Sequence, residues 1–134
     1  MRVMRTANVR TGNGKFGQVI QIGPHQFIGD EPVEAEGDDT GPNPFDFLLA
    51  ALGSCTSMTI SAYARFKNVP LDRVEVELSQ ENKDNVHTFY RVIHLYGDLT
   101  DAQRTRMLEI ANKCPVHRTL TGKIAVESVL APRA

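Results

Sequence analysis

Cys55 and Cys114 are the two cysteines of the chain. A thiol becomes a nucleophile only as the thiolate, which needs a cation, a helix N-terminus or a metal beside it. Two cysteines so far apart do not make the disulfide framework that staples small secreted domains. In a reducing compartment they are either inert core thiols, since free cysteine is among the most buried residue types, or a redox couple. Four histidines, His25, His87, His94 and His117, accompany them. No C-x-x-C or H-x-x-x-H spacing appears, and Pro115 interrupts the only short Cys–His interval, so the pattern implies no metal and no cofactor. A Cys–His hydrolase signature is also missing.

The elements that hold the two thiols follow from local signals. Asn43-Pro44 supplies an N-cap and a first-turn proline, and Asp46 places a carboxylate where the helix dipole favours it. A helix of about twenty residues is expected from here to Lys67, where Asn68 and Pro70 end it. Cys55 lies about eleven residues, or roughly 16 Å, inside that helix. The dipole fades within the first turn, so a reactive Cys55 needs a cation from another element. Thr100 with Gln103 forms a capping box, and Met107, Ile110, Ala111 and Cys114 follow on one face. Cys114 is therefore expected to face the core at a helix C-terminus, where partial negative charge disfavours a thiolate. If one cysteine attacks and the other resolves, Cys55 attacks.

The remaining elements read as strands. Gly17 to Ile22 and His25 to Ile28 flank the hairpin signal Gly23-Pro24, and an acidic, exposed loop is expected from Asp30 to Thr40. Leu71 to Ser79 alternates Val74, Val76 and Leu78 against Arg73, Glu75 and Glu77, the pattern of a strand with one wet face. Phe89 to Leu95 repeats it across a polar turn over Glu81 to Asn85. After Pro115 a short turn carries His117 and Arg118, and Ile124 to Leu130 reads as a last strand. The order predicts a single α+β domain over residues 1–134.

Composition narrows the partners. Fifteen lysines and arginines stand against sixteen acids, so no basic excess marks a nucleic-acid or lipid surface. The N-terminal residues lack the apolar stretch of a secretory signal, which points to the cytoplasm. Phe47 to Ala64 is uncharged and just long enough to span a membrane. Its Ser54, Thr56, Ser57, Thr59 and Ser61 make poor lipid-facing surface, and a helix buried in a soluble core is expected instead.

Gly41-Pro-Asn-Pro-Phe-Asp-Phe-Leu-Leu-Ala-Ala-Leu-Gly-Ser-Cys55 resembles the first cysteine block of the OsmC/Ohr family, and Cys114-Pro-Val-His-Arg-Thr-Leu120 resembles its second. Order, spacing and flanking strands agree over nearly the whole chain. The resemblance implies antiparallel sheets packed around a central Cys-bearing helix in an intertwined homodimer with active sites at the interface. It also implies a thiol peroxidase: Cys55 reduces an organic hydroperoxide and becomes a sulfenic acid, Cys114 resolves it, and a dithiol, lipoyl type among them, is the reductant. Gly14-Lys15-Phe16-Gly17 resembles the family's Gly-Arg-x-Gly, with Lys15 in place of the activating arginine. Phe45 stands ten residues before Cys55, where the best known branch has a glutamate, and the acid is the adjacent Asp46. His117 and Arg118 accompany the second cysteine as candidate surrounding residues, with Arg118 the reserve cation. The alternative from another class is a small-ligand-binding or assembly module of the same fold with silent cysteines.

Overall fold

A computed structural model of the chain describes residues 4–133. Two compact units form, one over residues 1–50 and one over residues 51–134. In the first, β1 (Ala7–Thr11), β2 (Gln18–Ile22) and β3 (His25–Gly29) make an antiparallel sheet in sequence order. Ile22 pairs with His25 across the Gly23-Pro24 turn, and Gly23 takes φ +55°, which glycine adopts without the Cβ clash.

The acidic loop differs from the expectation of a wholly exposed, irregular segment. It contains a short 3-10 turn, Val33–Ala35, and begins at a buried Asp30. The Asp30 carboxylate accepts hydrogen bonds from the Thr40 hydroxyl at 2.6 Å, the Thr40 N–H at 3.1 Å and the Glu31 N–H at 2.7 Å. These bonds, the hydroxyl first, hold its pKa below the ordinary carboxylate value. A loop with no apolar stripe is closed by a polar clasp, which periodicity cannot reveal.

The long helix α1 (Pro44–Phe66) forms as its signals predict. Asn43 Oδ1 accepts the Asp46 N–H at 2.8 Å while Asp46 Oδ2 accepts the Asn43 N–H at 2.9 Å, a reciprocal cap. At the far end Asn68 takes φ +54°, and the N–H groups of Asn68 and Val69 reach the carbonyls of Arg65 and Ala64. This is a Schellman ending with asparagine in the place glycine usually fills.

In the second unit β4 (Leu71–Lys83) and β5 (Val86–Gly97) form a long antiparallel hairpin. Its turn is tighter than the predicted span of Glu81 to Asn85. Asp84 and Asn85 alone make it, both at positive φ, so residues 81–83 stay in the ladder. Val74, Val76 and Leu78 lie half-buried on one face, with Arg73, Glu75 and Glu77 exposed on the other. A Cβ on Gly53 would stand 2.6 Å from Leu78 Cδ1, so the absent side chain lets α1 approach this face. Ile60 and Ala64 of α1 and Met107, Ile110 and Ala111 of α2 (Asp101–Ala111) make the core, with Val74, Ile93 and Leu95 packed on it. The residues of α1 in this unit thus serve as its core helix.

Two expectations near the C-terminus need correcting. Helix α2 stops at Ala111, so Cys114 does not sit in its last turn; it is the N-cap of α3 (Pro115–Thr121), which also carries the predicted "turn" residues His117 and Arg118. Pro115 starts a helix rather than only ending one, because its missing N–H costs nothing at the first helical position. Ile124 to Leu130 forms no strand, and Val129 is 97% exposed. Among the described residues, no neighbouring strand supplies the ladder of hydrogen bonds that an extended segment needs.

Candidate active site

Cys55 is half-buried on α1, with its sulfur 4.0 Å from the Thr59 hydroxyl one turn on. Cys114 is fully buried, as expected, although it lies beyond the end of α2 rather than on its apolar face. The two thiols are close enough to share a hydrogen bond, and neither is in a disulfide. Burial pushes the Cys114 thiol up, its bond with Cys55 pushes it further, and the His117 N–H, 3.4 Å from the sulfur, works against both. The pair thus joins a more accessible sulfur to a buried one kept in the protonated form.

Arg91 of β5 makes hydrogen bonds to residues next to each of these cysteines, and sequence reasoning missed it. Its Nη1 donates to the Thr56 hydroxyl at 2.9 Å and to the Ala111 carbonyl at 3.3 Å. Its Nη2 donates to Asn112 Oδ1 at 2.8 Å and lies 3.4 Å from His117 Nδ1. Thr56, the neighbour of Cys55, is fully buried and donates its own proton to the Leu52 carbonyl at 2.7 Å. One guanidinium therefore ties the Cys55 turn of α1 to both sides of Cys114. A signal for it does exist: Arg91 stands in phase with Phe89, Ile93 and Leu95, and a cation on the apolar face of a strand must find partners.

His117 is half-buried, and burial, followed by the charge of Arg91, lowers its pKa below the ordinary histidine value. It shares with Arg91 and Asn112 the wall of a cavity of about 480 Å³, otherwise lined chiefly by apolar side chains such as Leu52, Phe89, Ile93 and Leu108. Arg118 is exposed on α3. The other predicted residues belong to the first unit. Lys15 is exposed, lies 3.7 Å from Glu36 and 5.4 Å from the Phe16 ring centroid. Asp46 caps α1, and Phe45 is exposed at its first turn.

The comparisons agree with this mixed α+β fold of antiparallel sheets and helices. Residues 37–129 match the family model described as OsmC-like protein. The chain belongs to the OsmC-like family. Solved structures share the fold at low identity. A Psychrobacter arcticus protein named as a "putative osmotic stress induced and detoxification response protein" superposes with a TM-score of 0.74 at 22% identity, over 89% of this chain and 90% of that one. The organic hydroperoxide resistance protein OsmC from Legionella pneumophila gives 0.67 at 17% identity, over 90% of each chain. OhrB, the organic hydroperoxide resistance protein of Bacillus subtilis, gives 0.64 at 20% identity, over 90% of this chain and 92% of that one. No curated protein matches the sequence.

Proposed function

We propose that this chain is a two-cysteine thiol peroxidase that reduces organic hydroperoxides. The observation that carries the reading is the pairing of a half-buried Cys55 with a buried Cys114 at hydrogen-bonding range. Hydroperoxide resistance in the names of structural relatives agrees with it. The Cys55 thiolate attacks the distal oxygen, the O–O bond breaks, and the departing alkoxide takes a proton to leave as the alcohol. Cys55 is then a sulfenic acid. The Cys114 sulfur attacks the Cys55 sulfur, the S–O bond breaks, and the hydroxyl leaves as water with the Cys114 proton. A dithiol, lipoyl type among them, restores both thiols by exchange.

In this reading Lys15 is the cation that supports the Cys55 thiolate and Asp46 is the carboxylate that orients it, with Arg118 in reserve. Asp46 uses Oδ2 in its cap, so Oδ1 is the oxygen for the cation. The working form is a cytoplasmic homodimer of single OsmC-like domains. Exposed apolar side chains support the association of two copies, among them Phe45 and Met58 on α1 and Val126 and Leu130 in the C-terminal segment. Steady-state consumption of cumene hydroperoxide with a dithiol tests the reading. Cys55→Ser is expected to abolish it, and Cys114→Ser to leave a single turnover followed by overoxidation of Cys55. Sustained turnover by Cys114→Ser with a dithiol would contradict the resolving role. The cavity beside Arg91 favours one second reading, a small-ligand module with silent cysteines; in that case neither cysteine substitution changes ligand affinity.

A further inference from the structure

We infer that Arg91 is a positioning residue of the two-cysteine site: it holds the junction of α2 and α3, and with it Cys114, against the Cys55 turn of α1, and it fixes the tautomer of His117. The inference concerns disulfide closure and rests on the peroxidase reading only for its role in turnover.

Arginine is a donor without acceptor capacity. The nitrogens Nη1 and Nη2 carry four hydrogens between them, and four acceptors surround them: Thr56 Oγ1, the Ala111 carbonyl, Asn112 Oδ1 and His117 Nδ1. The contact with His117 is formed only if Nδ1 is unprotonated, which places the imidazole proton on Nε2. His117 is then a neutral ring whose Nδ1 is occupied by the guanidinium, so it is not the base that takes the Cys114 proton through that nitrogen. Its backbone N–H meanwhile contacts the Cys114 sulfur. Arg91 thus reaches the segment around Cys114 on both sides, through Ala111 and Asn112 before it and His117 after it. On α1 it reaches Thr56, next to Cys55. The charged and titratable groups that face His117 are Arg91 from β5, Cys114 on its own segment and His87 across the shared cavity.

No lysine can imitate this arrangement, because one ammonium carries three hydrogens on a single nitrogen and cannot satisfy four acceptors. Charge and fork are therefore separable by substitution. Arg91→Met removes both, and Arg91→Lys keeps the charge alone. Closure of the Cys55–Cys114 disulfide is followed by intact mass after diamide, which oxidises a thiol pair as it is itself reduced to the hydrazine and so requires no peroxidase activity. His117 is followed by nitrogen NMR of the reduced protein.

The wild type is expected to show His117 protonated at Nε2 and bare at Nδ1. Arg91→Met is expected to raise the His117 pKa and to slow closure about tenfold, the factor carried by one charge-assisted hydrogen bond. Arg91→Lys is expected to keep His117 titrating low while closing as slowly as Arg91→Met. A wild-type His117 protonated at Nδ1 overturns the inference, as does closure at the wild-type rate in either variant. Because the wild-type spectrum is sufficient to refute it, a variant that fails to fold leaves the test standing. If diamide closure depends on Arg91 while no hydroperoxide is consumed, the peroxidase reading fails and this inference survives.

Discussion

Thr56→Val measures how firmly Arg91 joins α1 to the second cysteine segment. The substitution keeps the buried shape of Thr56 and removes its hydroxyl, which accepts from Arg91 at 2.9 Å and donates to the Leu52 carbonyl at 2.7 Å. A hydrogen bond to a charged group contributes about 1.5–3 kcal/mol, and one neutral bond about 1 kcal/mol. The Leu52 carbonyl also faces the helix N–H four residues on, so its loss is small. Nη1 keeps its longer bond to the Ala111 carbonyl, which places the Arg91 contribution near the lower end. The expected cost is about 2 kcal/mol in urea unfolding of the full chain. At roughly 4 °C per kcal/mol for a chain of this length, the melting temperature falls by about 8 °C. A double-mutant cycle with Arg91→Met isolates the pair and is expected to return a coupling of about 1–2 kcal/mol. Thr56→Ser keeps the hydroxyl and loses only a methyl, about 1 kcal/mol, so its coupling with Arg91 is retained. A coupling below about 0.3 kcal/mol, within the error of independent sites, would refute the tie.

Other consequences are independent of that network. Iodoacetamide at neutral pH is expected to label Cys55 before Cys114, because burial keeps the Cys114 thiol protonated; equal labelling seen by peptide mapping would contradict this. Asp30 has its pKa lowered on folding, so it contributes stability above the ordinary carboxylate value that is lost as pH falls through its lower folded value. Thr40→Val removes the largest cause and is expected to move acid unfolding to higher pH, read by circular dichroism. Thr100→Ala breaks the capping box of α2 and is expected to cost about 1 kcal/mol, while an unchanged urea midpoint would show that the cap is idle. Asn85→Gly should be tolerated and Asn85→Val should destabilise the β4–β5 hairpin, since only the former accepts φ +63° without strain.

Much of the fold was legible because local chemistry and tertiary packing agree. Asn43, Asp46 and Asn68 mark both ends of α1, and the alternation of Val74, Val76 and Leu78 marks the inner face of β4. What escaped depends on residues far apart in sequence. Pro115 looks like a helix breaker until α3 is seen to begin there, and only then does Cys114 become an N-cap rather than a C-terminal residue. Ile124 to Leu130 has the composition of a strand, yet composition cannot provide a strand to pair with. Arg91 shows the reverse failure: its phase on β5 was visible, but its four acceptors come from α1, the end of α2 and α3. Both cysteines stood out by residue type and the family resemblance favoured a redox couple, while their proximity required the helices to be placed.

The central claim is that Cys55 and Cys114 form one redox couple driven by an organic hydroperoxide. Intact mass with peptide mapping, on reduced wild-type protein given one equivalent of cumene hydroperoxide, tests it directly. The account predicts loss of the two thiol hydrogens and a Cys55–Cys114 cross-linked peptide, with cumyl alcohol released in equal amount. An unchanged mass with the hydroperoxide intact, or a stable oxygen adduct on Cys55 beside an untouched Cys114 thiol, would contradict it.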